Sequence, residues 1–558
     1  MKYFNEAAVT LEDQIKRLSN SSKFIWAKEI HSLYENALIS NQLVFQKKND
    51  WKSVRESFIY SERSKSLLLY QSIQESDALS FANIPDTLLE KEYDLRIDIT
   101  YYDKKRQEKL SEGLEETDTT VLAISSKLFD LNREYEALKE RFETEYPDYY
   151  QLKYDLSTVS LEYVQDTLLT TDQTLLEYFV GDSSIFIFTV GKDKYDVVEV
   201  KRDFPLVEWV RQLQNGLTGY YALLLAQRTD DLYGETIRQY SEASQQLYDK
   251  LIAPVKEQLN TPELIIVPDG LLGYVPFGAL LSGAPKRTSI FDTYPFLEKE
   301  YNISYCYSAT LLREMKEKQH KQQPTGSLVA FAPFYEGGYA KLDSTFSLSF
   351  DTLANGQDTL TFNDVVTRKD FNSLPASGEE VKTASLFWDG DYYLNTDATE
   401  ERFHEVAGNY RIVHLSTHGV ADSRSGDYSY LAFAEQKDSI ENEFLYVRDL
   451  YNTQLNADLV TLSACETAAG ELQRGEGIIS LARAFAYAGA KSIVTTLWLA
   501  NDAATRDLMK SFYQQLQNGQ TKDVALQKAK LDLLKNRAYA HPFFWAGFVL
   551  VGYMRALK

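Results

Sequence analysis

Residues 412–419 read IVHLSTHG, and residues 457–467 read ADLVTLSACET. Each is a short, near-continuous apolar run that stops at a side chain with acid–base or nucleophilic chemistry, His418 in the first and Cys465 in the second. Runs of this kind suit parallel strands covered on both faces. Open parallel sheets bind ligands at the carboxyl ends of their strands, so neighbouring strands over Arg411–Ser416 and Asp458–Ser463 would bring imidazole and thiol to one edge. A thiol needs a partner that favours thiolate near neutral pH, and an imidazole supplies that and can later protonate a leaving amine. His414 shares the strand parity of His418 but lies deeper, which suits a packed or supporting residue. A cysteine at a strand end is also commonly a small buried hydrophobe, and on the residues alone that reading stays open.

Outward from these two runs the alternation of strand and helix continues. Leu328–Ala332 and Lys491–Leu497 read as further strands, Glu379–Phe387 and Ile478–Gly489 as helices. The polar stretch from Phe334 to Leu374 exceeds ordinary connections and suits either a small hairpin or a functional loop. Upstream, Leu175–Val180, Ile185–Val190 and Tyr195–Val200 form a strand meander separated by Gly-Asp and Gly-Lys turns. Helical segments over Leu206–Gly216 and Asp231–Gln258 follow, then the buried-strand run Leu264–Val267. Cys306 in this half has no histidine placed to serve it.

The first 150 residues have helical periodicity instead. Phe24, Ala27, Ile30, Tyr34 and Leu38 recur at helical spacing, and Asn49-Asp50 can cap a new helix at Trp51. After Pro85, the stripe Leu88, Leu95, Ile99, Tyr102 can pair with Leu128, Leu131, Tyr135, Leu138, Phe142 across two antiparallel helices. The lengths are compatible with degenerate tetratricopeptide-type repeats of about 34 residues, although the signature residues are incomplete.

Length and charge bound the rest. A chain of 558 residues exceeds the roughly 250–300 at which single cores stop growing, so several domains are expected. The formal net charge of −22 repels phosphate backbones and anionic lipid, which argues against direct nucleic-acid or membrane binding. Two cysteines are too few for a disulfide framework and fit a reducing, cytoplasmic setting. The longest apolar stretch, FFWAGFVLVGYM, falls short of the roughly 20 residues that span a bilayer.

IVHLSTHG, the long segment ADLVTLSACETAAGELQRGEGIISLARAFAYAGAKSIVTTLWLANDAATRDLMKSFYQQL and the closing HPFFWAGFVLVG together resemble the CHAT family of caspase-like proteases, relatives of caspases and separases. LIIVPDGLLGYVPFGALL and LPASGEEV resemble stretches that precede the catalytic half of such proteins. The resemblance implies an α/β caspase-like fold, a parallel-rich sheet flanked by helices, preceded by an all-α helical-repeat domain. Expected domains are a TPR-like helical block over 1–150, a non-catalytic caspase-like half over 151–325 and a catalytic half over 326–558.

It further implies that Cys465 attacks the scissile carbonyl and that His418 serves as general acid and base. The backbone N–H groups of Gly419 and Cys465 would form the oxyanion hole. Ser463 stands two residues before the cysteine, where basic-specific relatives commonly carry an acid; Glu466 or Asp502 could supply that charge instead. Asp502 equally suits an N-cap for a helix over Ala503–Leu516. ETAAGELQRGEG looks superficially like a phosphate loop but lacks the Walker lysine and hydroxyl, and reads as the loop after the nucleophile. No metal or cofactor is expected. The function expected is a cysteine endopeptidase cleaving a partner protein, in a bacterial defence or programmed-death pathway, with a gasdermin-like or CRISPR-linked effector as the implied substrate and a protein partner for the helical block. The rival is a catalytically silent caspase-like scaffold or sensor.

Overall fold

Strand β1 (Gln173–Val180) heads a sheet of eleven strands. It is followed in the chain by β2 (Ser184–Gly191), β3 (Tyr195–Lys201), β4 (Glu263–Val267), β5 (Asn302–Tyr305) and β6 (Gly326–Ala332). Then come β7 (Asp391–Leu394), β8 (Tyr410–Thr417), β9 (Leu459–Ala464), β10 (Ser492–Thr496) and β11 (Phe548–Gly552). The spatial order is β3-β2-β1-β4-β5-β11-β10-β9-β8-β6-β7. The meander β1-β2-β3 and the pair β10-β11 are antiparallel; every other neighbour pair is parallel. This is the parallel-rich, helix-flanked α/β sheet that the sequence implies, with helices ahead of it. The computed structural model describes residues 4, 20–48, 50–65, 86–111, 115, 117–145, 158–320, 322–335, 348–352, 358–362, 373–420, 429–434, 444–450, 453–464, 472–473, 477–478, 481–498 and 501–557.

Alternation along the strands sorts side chains into two cores. On β6, Leu328, Ala330 and Ala332 join the core under helices Leu206–Thr218, Asp230–Leu251, Asp502–Gln517 and Lys522–Lys535, whereas Val329 and Phe331 join the core under helix Leu481–Ala488. Burial on both faces is why these strands are apolar throughout and do not alternate. The closing FVLVG run lies between β5 and β10 and so fuses the two halves of the sheet, parallel to one and antiparallel to the other. Within the long polar stretch, Leu348–Thr352 and Asp358–Phe362 form an antiparallel hairpin. The helix expected from Ile478 begins at Leu481, because Gly477–Ile478 pairs with Leu472–Gln473 in a two-stranded hairpin.

The chain divides into two compact units, Met1–Leu67 together with Thr158–Lys558, and Leu68–Ser157. The helical region read over 1–150 is therefore shared between them. In the smaller unit, helices Asp86–Ser111 and Thr119–Glu145 bury Leu88, Leu95, Leu131, Leu138 and Phe142 against each other, with Ile99, Tyr102 and Tyr135 at the margin. These are the two stripes that helical periodicity marks, save Leu128, which lies outside the cluster. In the larger unit, helices Asn20–Lys48 and Trp51–Arg63 pack with the sheet, and Asp50 caps the second by accepting from the Lys52 N–H at 3.1 Å. Pro85 lies outside the described residues.

Candidate active site

β8 and β9 run parallel with Ser416 opposite Ser463 and Thr417 opposite Ala464. The residue directly after β8 is His418, 9% exposed, at the carboxyl edge of the sheet. The residues that follow Ala464 in the chain, Cys465 and Glu466, lie outside the described residues, as does most of the segment up to Leu481. Ser463 is described and buried.

His418 is held by its backbone and its ring. Its carbonyl accepts from the Ala432 N–H at 2.9 Å, and the Thr417 hydroxyl donates to the Ala432 carbonyl at 2.5 Å. Directly after it, Gly419 and Val420 pair with Leu431 and Tyr430, and Tyr430–Ala432 pairs in turn with Phe444–Tyr446. The Phe334 ring meets the imidazole edge-on, centroids 5.1 Å apart at 67°. Leu374, Val420, Tyr430 and Phe444 pack around Phe334 and Ala432, so an apolar shelf borders the imidazole.

Beneath this edge lies a buried polar chain centred on His414, the packed or supporting residue read from strand parity; its partners were not identified from the sequence. His414 is fully buried, with Nε2 2.8 Å from Glu380 Oε1 and Nδ1 2.7 Å from the Tyr513 hydroxyl. The Ser416 hydroxyl donates to Glu380 Oε2 at 3.1 Å, and Tyr513 donates to Thr461 Oγ1 at 3.0 Å. Burial pushes the Tyr513 phenol far above its ordinary range, so it stays a neutral hydroxyl. Helix Ser377–Trp388 buries Ser377, Glu380, Val381 and Ala384 along one face. An acid on that inward stripe is the signal in LPASGEEV that could have marked Glu380.

Asp502 is not the N-cap expected there but the first residue of helix Asp502–Gln517; the cap is Asn501, whose side chain accepts from the Ala504 N–H at 3.1 Å. Asn501 has the extended backbone of a cap, which leaves Asp502 inside the first turn. Its carboxylate accepts from the Ala376 N–H at 2.7 Å, tying the start of one helix to that of the other. Burial pushes the Asp502 carboxyl above its ordinary value, and nearby Glu380 adds to this. Cys306 offers no rival nucleophile: it is buried, its thiol donates to the Ser308 carbonyl at 3.1 Å, and burial pushes it up to about 12. Among the described residues, no group of three or more His, Cys, Asp or Glu side chains could hold a metal ion. Nor, among them, is any helix long and apolar enough to cross a membrane.

Residues 241–553 match the family model of the CHAT domain. The match covers more than half of the chain, which therefore belongs to the CHAT-domain family, the caspase-like family that its motifs resemble. Over 345 residues the chain is 24% identical to tetratricopeptide repeat protein 28 of Mus musculus, and over 346 residues 26% identical to that of Homo sapiens. Each alignment covers 55% of this chain but 13% of the relative, so the chain spans a small part of those proteins. Among solved structures, the Saccharomyces cerevisiae separase–securin complex matches with a TM-score of 0.45 at 8% identity, over 89% of this chain and 40% of that one. The complex of the Porphyromonas gingivalis RgpB pro- and mature domains matches with a TM-score of 0.33 at 10% identity, over 63% of this chain and 77% of that one.

Proposed function

We propose that this CHAT-domain chain is a cysteine endopeptidase in which His418 and Cys465 form the catalytic dyad. What supports the reading most is the register of β8 and β9: Thr417 and Ala464 are level, and the dyad residues are their immediate successors in the chain. His418 takes the thiol proton, the thiolate attacks the scissile carbonyl carbon, and His418 returns the proton to the departing amine. Water, deprotonated by the same imidazole, then releases the acyl group. Gly419 and Cys465 contribute backbone N–H groups to the oxyanion, since a position without Cβ admits the substrate carbonyl closely. The apolar shelf of Phe334, Leu374 and Tyr430 limits water around the imidazole and offers a wall for substrate side chains.

The substrate class is protein, and the helical pair of residues 68–157 is proposed to recruit or recognise a protein partner. The decisive experiment is incubation of the purified chain with a peptide library, beside Cys465→Ala, with cut sites read by mass spectrometry. Cuts made by the wild type and absent with the variant support the endopeptidase; none with either supports a catalytically silent scaffold.

A further inference from the structure

We infer that Glu380 is a positioning residue for the dyad, acting through His414, Ser416 and Tyr513 to hold β8 and β9 at a fixed register. The inference rests on the dyad reading above. His414 and Thr461 are register partners. His418 lies four residues beyond the first and Cys465 four beyond the second. Tyr513 bridges that pair, and Glu380 grips β8 at both His414 and Ser416. Because strands advance by about 3.3 Å per residue, a slip of one position would carry the imidazole out of reach of the thiol.

The proton inventory makes the chain a unit. With the Tyr513 O–H given to Thr461, the phenol oxygen accepts from His414 Nδ1–H, and Nε2 shares one hydrogen bond with Glu380 Oε1. Glu380 meets His414 through Oε1 and accepts from Ser416 at Oε2, so each of its oxygens has its own partner on β8. A glutamine could keep both contacts, its oxygen on Ser416 and its NH2 on Nε2, whereas an alanine removes both. The helices that carry Glu380 and Tyr513 are also tied at their starts through Asp502 and Ala376, so the carboxylate and phenol are presented from a braced pair. Buried polar chains of this kind specify one arrangement when every member is satisfied.

The test uses full-length Glu380→Ala and Tyr513→Phe, with Val381→Ala as a packing control on the same helix, assayed for peptide hydrolysis, melting temperature and alkylation of Cys465 mapped by mass spectrometry. Both polar variants should lower kcat about tenfold to a hundredfold with little change in KM, and slow Cys465 alkylation in parallel. Val381→Ala should lose melting temperature without that loss of kcat. If the polar variants stay folded and keep kcat and alkylation rate within about twofold, the positioning role is wrong. It is wrong too if Val381→Ala loses kcat equally at equal loss of melting temperature. A wild type that cuts no peptide, yet alkylates fast at Cys465, overturns the endopeptidase reading and leaves the positioning role to be judged on alkylation. Wild-type alkylation no faster than a free thiol overturns the dyad, and this inference with it.

Discussion

Thr417 stands opposite Ala464, the last described pair of β8 and β9, and the peptide units that follow lead to His418 and Cys465. If those two side chains are the dyad, Cys465→Ala and His418→Ala should each lower kcat/KM by about 10³-fold or more while leaving the melting temperature within a few degrees. Cys306→Ala should leave activity in place, because that thiol is buried and pushed up to about 12. Cleavage by Cys465→Ala at a comparable rate would remove Cys465 from the mechanism.

Asn501 and Asp502 divide between them what the sequence offers to one residue. Asn501→Ala removes the cap on Ala504 and should cost about 0.5–2 kcal/mol, read as a shift in denaturation midpoint. Asp502→Asn keeps the size and an acceptor for Ala376 while removing the charge. If Asp502 reads a basic side chain before the cleaved bond, cleavage after Lys and Arg should fall far more than cleavage after apolar residues. An unchanged preference would assign Asp502 to bracing alone.

What could be read in the sequence is what is local. The runs at 411–416, 458–463 and 491–497 announce strands because each is apolar on both faces, and the stripes at 88–102 and 128–142 announce a helical pair because their period is 3.6. The place of β11 was hidden: FVLVG has the same two-faced apolarity as its neighbours, and nothing local says that the last strand inserts antiparallel between β5 and β10. Glu380 and Tyr513 were hidden for the same reason, lying 34 and 99 residues from His414. Glu35 and Glu62 look like ordinary surface acids until the sheet that receives them is present.

His541 gives the fold an acid-sensitive point. It is buried against Tyr221 and Phe291, its Nδ1 accepts from the Phe543 N–H at 3.1 Å, and Nε2 is buried without a hydrogen-bond partner among the described residues. Burial pushes it down to about 3 from an ordinary 6.5, so the folded chain holds the neutral ring where the unfolded chain takes up a proton. Stability is therefore full above pH 6.5 and declines as pH falls, by about 2 kcal/mol at pH 5 from this group alone. His541→Asn keeps an acceptor for Phe543 and cannot titrate. Its loss of melting temperature between pH 7 and 5 should be the smaller of the two, even if its stability at pH 7 is lower; equal losses would show that His541 does not govern the acid limb.

Removal of the N-terminal helices should not leave the α/β unit intact if cut at residue 150. Glu62 is buried and accepts from the Ala309 and Thr310 N–H groups, both at 2.8 Å, and from the Thr310 hydroxyl at 2.6 Å, at the start of helix Ala309–Glu317. Glu35 accepts from the Asp182 and Ser183 N–H groups at 2.9 and 2.8 Å in the turn between β1 and β2. The chain comes so close there that a Cβ on Gly181 would fall 2.3 Å from the Glu35 carboxyl carbon. Lys65 and Glu177, both buried, pair at 3.1 Å with Ser61 between them. Deleting residues 1–150 strips these carboxylates from buried N–H donors and leaves Glu177 without its cation, at about 3–5 kcal/mol for the broken ion pair alone. Replacing residues 68–157 by a flexible Gly/Ser linker keeps every one of these contacts. The linker variant should therefore melt within a few degrees of the full chain and hydrolyse short peptides at a similar rate, while the 1–150 deletion unfolds or aggregates. Cleavage of a protein substrate should weaken in the linker variant if the excised helical pair recruits it. A linker variant that treats peptide and protein substrates as the full chain does would remove recruitment from that pair, and a 1–150 deletion that melts normally would show that the first two helices are dispensable to the sheet.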